Sequence, residues 1–293
     1  KKINNCHGDF IPAPQLKSLD EINKSKVLIY AEGGNGDMFQ YVRYIKLLKE
    51  LGAITFLMPR AENSNKILSL CPYVDFVVKN NLKNVFEVDF KIRLFDLLEL
   101  FKTTINSIPR NVPYLYADNK LVEHWKKTIK TNKKPKIGIY YKSSHFIGSI
   151  FLELSLSCRS IPQNTILSLT QNEGFDFYLL QKNCIEPLVK INTFRNDFDV
   201  LNGAFMDTAA VMKNLDLVIT SDTSIAHLAG GLGVPVWILL PYNSDWRWFL
   251  NRSDSPWYPT ARLFRQPKPG DWESVIKEVK RELEKKFLQK ADD

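Results

Sequence analysis

The chain has 293 residues, 44% of them hydrophobic, which is enough for two ordinary domains with sizeable cores. No run approaches the ~18 apolar residues that a membrane span needs, and the longest, Val27 to Ala31 and Val234 to Leu240, have strand length. The formal charge of +8 is concentrated in 126–136 and 277–290, which read as solvated helix faces rather than as a nucleic-acid surface.

That positive field also suits a nucleotide substrate or peripheral contact with an anionic membrane surface. The start lacks both a methionine and the apolar core of a signal peptide, so it reads as a trimmed N-terminus. Four cysteines (Cys6, Cys71, Cys158, Cys184) show no CxxC spacing, so neither zinc nor a disulfide framework is expected, in keeping with a reducing cytoplasm.

Residues 1–25 are polar and carry Pro12 and Pro14, which predicts an arm rather than a core element. Lys26 to Ala31 is the first clear strand. After Gly33-Gly34-Asn35-Gly36-Asp37 comes a helical pattern in which Phe39, Val42, Ile45, Leu48 and Leu51 recur at three- and four-residue spacing. Gly52 closes that helix, and a strand (54–58), a helix (63–70) and a strand (75–78) follow. This βαβ alternation predicts a parallel sheet. Pro109, Pro113 and the basic segment 126–136 mark a break, bridged by a helix near 121–129.

A second unit opens with the strand 136–141 and continues through strands at 175–181, 215–220 and 235–240. A helix at 208–214 lies behind the capping candidate Asp207. A long charged helix at 272–288, with apolar Val275, Ile276, Val279 and Leu283, is expected to pack back on the first unit. The resulting division is 1–25 arm, 26–130 first domain, 131–270 second domain and 271–293 terminal helix.

Two loops carry the chemistry. Leu215 to Ile219 form a buried strand that runs into Thr220-Ser221-Asp222-Thr223-Ser224, after which a helix begins. Polar cap residues between a buried strand and a helix make an anion site in α/β proteins; they also serve as an ordinary helix cap. In the loop 33–37, glycines permit close backbone approach and Asp37 caps the next helix. Phe39 replaces the third glycine of the dinucleotide fingerprint, and the GK[ST] of a P-loop is absent. A plain glycine turn with a capping Asp is the competing reading. Asp197-Phe198-Asp199 mimics a metal-binding DxD but lies outside a strand-end context, so it is read as chance.

At 208–210 and 215–230 (Thr-Ala-Ala, then Leu-Asp-Leu-Val-Ile-Thr-Ser-Asp-Thr-Ser-Ile-Ala-His-Leu-Ala-Gly) the chain resembles glycosyltransferase family 9, the heptosyltransferase-like enzymes. Pro235 to Leu240, Asp245-Trp246-Arg247-Trp248, Asp254 to Pro259 and Arg262 to Gln266 look like a branch often joined to tetratricopeptide repeats. Gly36-Asp37 and Gln40 to Tyr44 are similar to that branch's N-terminal signature.

The resemblance covers roughly 26–280 and is weak between 60 and 110. It implies a GT-B fold: an α/β protein of two Rossmann-like domains with parallel sheets facing across a cleft. It also implies a metal-independent, inverting transfer from a nucleotide diphosphate sugar, with ADP-heptose as first guess, to a lipopolysaccharide-type glycan or a protein acceptor. No cofactor and no nucleic-acid partner are expected.

By the same resemblance Asp37 is the general base. The amides at Thr223, Ser224 and Ile225 meet the leaving diphosphate, Asp222 holds donor hydroxyls, and His227 faces the phosphates or the sugar. His227 equally suits a satisfied helix-face histidine. Lys142 and Arg159 are candidates for the diphosphate charge, and Gln181 and Lys182 for the base or ribose. Gly34, Asn35, Gly36, Gln40 and Arg43 form the acceptor loop. Arg247 is a further candidate because a buried charge needs a partner. The tryptophan-rich segments either stack on ligand or brace the site.

The segment 145–156 is more apolar than in relatives, suggesting a lid, a dimer contact or an acceptor surface. Two other functions fit the same residues: a nucleotide-sugar-binding scaffold without activity, and a GT-B sugar-nucleotide epimerase.

Overall fold

A computed structural model describes residues 11–79, 87–143, 159–182, 190–195 and 197–288. The apolar segment 145–156 lies outside these residues, as do Cys6, Cys158 and Cys184.

The first unit holds β1 (Lys26–Tyr30), α1 (Asn35–Tyr41), α2 (Arg43–Glu50), β2 (Ile54–Met58), α3 (Asn65–Leu68), β3 (Phe76–Val77), β4 (Phe90–Arg93) and α4 (Asp96–Leu100). Its sheet is parallel with order β3-β2-β1-β4. β1 is central and buried on both faces from Val27 on, which is why it reads as a continuous apolar run.

After α5 (Asn119–Thr128) the second unit holds β5 (Lys136–Tyr140), α6 (Gln163–Thr170), β6 (Asp176–Leu179), α7 (Met206–Met212), β7 (Leu217–Ser221), α8 (Ser224–Gly231), β8 (Val236–Leu240), β9 (Ala261–Arg265) and α9 (Trp272–Phe287). The sheet order is β6-β5-β7-β8-β9, again parallel.

Each sheet reverses its winding beside its first strand, between β1 and β4 and between β5 and β7. Ligands of open α/β sheets bind outside the carboxyl ends of strands at such points. The loop with Asp37 leaves β1, and the loop with Asp222 leaves β7. Both motifs therefore stand where this architecture puts its sites.

Four expectations change. The segment before β1 is no loose arm over its described part: Leu16 and Ile22 are buried in the first core, and the Leu16 amide donates to the Lys91 carbonyl. The helix α5, expected to bridge the units, packs on the second. The Trp125 indole donates to Asp207, and Asn214 donates to the Val122 carbonyl.

Asp207 does not cap α7 but sits in its first turn, accepting from Trp125, the Asp199 amide and Asn202. The terminal helix α9 does not return to the first unit. Trp272, Val275, Ile276, Val279 and Leu283 form one stripe that shares a core with Ile137, Ile139, Leu217 and Ile219 of the second sheet. The edge strands β4 and β9 are additions. Their short, charge-interrupted sequences, Phe-Lys-Ile-Arg and Ala-Arg-Leu-Phe-Arg, carry little strand signal.

Candidate active site

The two motif loops meet. The first turns of α1 and α8 abut at Gly36, where a Cβ would lie 3.1 Å from His227 Cδ2 and 3.5 Å from Ser224 Cα. A small residue is needed for helices to approach this closely. The contact is secured below by Arg43, which is buried and donates to Gln40 O (2.7 Å), Trp257 O (2.7 Å), Pro109 O (3.2 Å) and Tyr114 Oη (2.6 Å). Its guanidinium also lies 4.2 Å from the Tyr114 ring centroid and 4.8 Å from that of Tyr258. Tyr114 and Leu115 amides in turn donate to Gly231 O at the end of α8.

Asp37 occupies the first turn of α1. Its Oδ2 accepts from the Gly34 amide at 2.9 Å, a reach-back that fixes the side chain. Gly33 leaves the room: a Cβ there would lie 2.5 Å from Asp37 Oδ2 and 2.7 Å from its Cβ. Oδ1 accepts from Arg247 Nη2 at 2.7 Å, with Asp37 25% and Arg247 11% exposed.

From that pair a chain of charges runs across the site. Arg247 Nη1 lies 3.1 Å from Asp245 Oδ2, Arg159 Nη2 lies 3.7 Å from the same oxygen, and Arg159 Nη1 lies 3.6 Å from Asp222 Oδ2. Three carboxylates and two guanidinia thus alternate from the first unit's loop to the end of β7. Asp245 also caps its own turn by accepting from the Arg247 amide.

The expected donor residues divide. Thr223 is the N-cap of α8, its Oγ1 accepting from the Ile225 amide at 3.3 Å, so that amide is already engaged. Among the described residues the Thr223 and Ser224 amides make no hydrogen bond, leaving two donors at the positive end of the helix. Asp222 is 3% exposed, and burial pushes its pKa up. Its partner here is Arg159, not an open face for donor hydroxyls.

His227 is also buried. It stacks on Trp248 (5.3 Å between centroids, 19°), and its Nδ1 shares a 2.7 Å hydrogen bond with Tyr258 Oη. Desolvation first, then the charges of Arg247, Arg43 and Arg159, hold its pKa well below the ordinary value. It is a neutral, packed imidazole. Gln40 and Arg43 are buried as well, on the face of α1 and α2 turned to the second unit, so neither lines an open loop. The Gln40 amide finds no partner among the described residues.

Lys142, Gln181 and Lys182 stand on the same sheet edge, at the ends of β5 and β6. Gln181 Oε1 accepts from the Lys142 amide, while Lys182 Nζ reaches the Asp199 carbonyl at 2.9 Å. The tryptophans split too. Trp248 and Trp257 are buried braces, the latter donating to Arg247 O, whereas Trp246 is 60% exposed beside Arg247. Asp245 and Tyr258 were not among the site candidates. Asp245 had its aromatic neighbourhood as a signal, but nothing local separates it from a turn-capping Asp.

Asp197 pairs with Arg195 and Asp199 accepts from Thr208, so the DxD look-alike presents no joint metal ligand. Among the described residues no cluster of three His, Cys, Asp or Glu could hold a metal, and no helix is long and apolar enough to cross a membrane.

No family model matches the sequence. Protein FlbA of Caulobacter vibrioides is 25% identical over 222 residues, covering 73% of this chain and 35% of that protein. The chain thus spans about a third of this relative's length.

Three solved structures share the architecture. A family 9 glycosyl transferase from Veillonella parvula matches with a TM-score of 0.67 at 13% identity, over 92% of this chain and 99% of its own. The E. coli ADP-heptose lipopolysaccharide heptosyltransferase II matches with 0.61 at 13%, over 91% and 99%. The dodecameric, iron-containing glycosyltransferase TibC of enterotoxigenic E. coli matches with 0.56 at 12%, over 92% and 78%. Two parallel sheets wound in this order, over nearly the whole chain, give this protein the fold of the family 9 glycosyltransferases.

Proposed function

We propose that the chain is an inverting glycosyltransferase of the heptosyltransferase type, using a nucleotide diphosphate sugar as donor. The observation that carries the reading is the junction at Gly36. It sets a fixed carboxylate, Asp37, against the amide-presenting start of α8, so a base and an anion site share one space. In this reading the acceptor belongs to a first domain (26–130) and the donor to a second (131–270, with α5 counted in it), the two meeting in a cleft between them.

In the reaction Asp37 takes the proton of an acceptor hydroxyl as that oxygen bonds to the anomeric carbon. The bond from that carbon to the β-phosphate oxygen breaks, and the nucleoside diphosphate departs with the electron pair. The Thr223 and Ser224 amides and Arg159 meet its charge, with Lys142 at the neighbouring strand end. Asp222 acts by holding Arg159. His227 and the pair Gln40 and Arg43 keep α1 seated on α8.

Heptose from an ADP sugar is the donor favoured by the heptosyltransferase likeness, with a glycan or protein side chain as acceptor. The test is a thermal-shift screen with ADP, GDP, UDP and CMP, since a ligand bound by the native state raises stability by mass action. The reading expects ADP to give the largest shift; no shift with any of the four overturns it. Activity should persist in EDTA, because amides and guanidinia are assigned the phosphate charge.

A further inference from the structure

The geometry points to Arg247 as a donor-diphosphate ligand for which the general base competes. Binding of the diphosphate draws Nη2 from Asp37 to a phosphate oxygen and so frees the base. This rests on the glycosyltransferase reading and adds to it an order: donor first, acceptor second.

Four observations carry it. First, Asp37 is occupied at both oxygens, Oδ2 by the Gly34 amide and Oδ1 by Arg247. An incoming acceptor hydroxyl therefore meets two oxygens that already have hydrogen-bond donors. Second, the guanidinium has a pivot. Nη1 lies 3.1 Å from Asp245, whose own chain segment is fixed by a cap and by the Trp257 bond to Arg247 O, so the planar group can turn about that contact and carry Nη2 off Asp37 while Nη1 stays paired. Third, Arg247 Nε is buried without a hydrogen bond of ordinary geometry, the Tyr41 hydroxyl being the polar neighbour of the guanidinium, so a phosphate oxygen would give it a full acceptor.

Fourth, the destination is close. Asp37, to which Arg247 Nη2 is bonded, stands in the first turn of α1, which abuts the first turn of α8 at Gly36 and Ser224. Arg159 does not share the arrangement, because its partners, at 3.6 and 3.7 Å, both belong to the second unit. Among the described residues Arg247, unlike Arg159, has one carboxylate partner in each unit.

A cation so placed implies competition between Asp37 and the diphosphate for one guanidinium, and linkage fixes the signs. The experiment is calorimetric titration of the wild type, Asp37→Asn, Arg247→Gln and the double variant with ADP, or with whichever of GDP, UDP and CMP the wild type binds best. Removing the Asp37 charge should tighten the nucleotide by about threefold or more, and Arg247→Gln should weaken it by about tenfold. In the Arg247→Gln background Asp37→Asn should change nothing.

Equal or weaker binding by Asp37→Asn overturns the proposal, and does so even if Arg247→Gln fails to fold. Wild-type affinity in a folded Arg247→Gln overturns it too, leaving Arg247 as a fixed prop for Asp37. Failure of the wild type to bind any of the four nucleotides is a different result, and it removes the glycosyltransferase reading itself.

Discussion

Arg247 Nη2 and Asp37 Oδ1 lie 2.7 Å apart although 210 positions separate them in sequence. The contact joins a loop of one parallel sheet to a loop of the other. It gives Asp37 a defined direction, and the Gly34 amide supplies the second constraint.

Gly33→Ala should therefore damage function through Asp37. The new methyl would meet Asp37 atoms at 2.5 to 2.8 Å, so the carboxylate must move. Steady-state kinetics should show kcat down by about 10- to 100-fold, with a stability cost of about 1–3 kcal/mol. Full activity would show that the orientation of Asp37 does not matter.

Arg43→Met should be among the most destabilising single changes. It leaves three buried oxygens, on Gln40, Tyr114 and Trp257, and the partly buried one of Pro109 without their donor. A loss of about 3–5 kcal/mol in urea unfolding is expected. Because the side chain never reaches an open surface, whatever remains folded should retain most of its affinity for nucleotide.

His227 predicts an acid-side loss of stability. Its native pKa is held well below 6.5, so above that pH both states are neutral and the residue contributes no slope. Below it the unfolded chain binds a proton that the native state refuses, and stability falls by up to ~1.4 kcal/mol per pH unit. Asp199 and Asp222, whose pKa values are raised by burial, act in the opposite sense at lower pH. The difference between the wild-type and His227→Gln stability curves isolates the histidine. A flat difference between pH 6.5 and 5 would contradict its burial as a neutral ring.

Cys71 should resist modification. It is buried, its Sγ faces the Tyr114 carbonyl at 3.7 Å, and burial pushes its pKa up to about 12. Peptide mapping after thiol labelling at pH 8 should find Cys71 unmodified in the folded protein and modified in urea.

The fold was legible where a strand is buried on both faces. Val27 to Tyr30 and Leu217 to Ser221 read as strands because every side chain is apolar or small and inward. Edge strands such as β4 escaped, since charged residues interrupt their short apolar pattern. The two site loops were legible as strand–turn–helix junctions, and so was the likeness that joined them. What a one-dimensional reading could not show is which helix face each residue takes. Gln40, Arg43 and His227 have the polarity of ligand contacts, yet the packing of α1 on α8 turns all three inward. Nor does local sequence reveal that Asp245 holds two arginines, because that depends on where a long loop lands.

As the proposed base of a sugar transfer at the junction of α1 and α8, Asp37 should be indispensable for turnover. The most direct test is turnover of ADP-heptose by wild type and Asp37→Asn, followed as ADP release with and without a lipopolysaccharide-type acceptor. Acceptor-dependent ADP release is expected from the wild type, reduced by about 10²- to 10⁴-fold in Asp37→Asn, which binds ADP tighter by about threefold or more. Equal turnover by the two proteins would contradict that role.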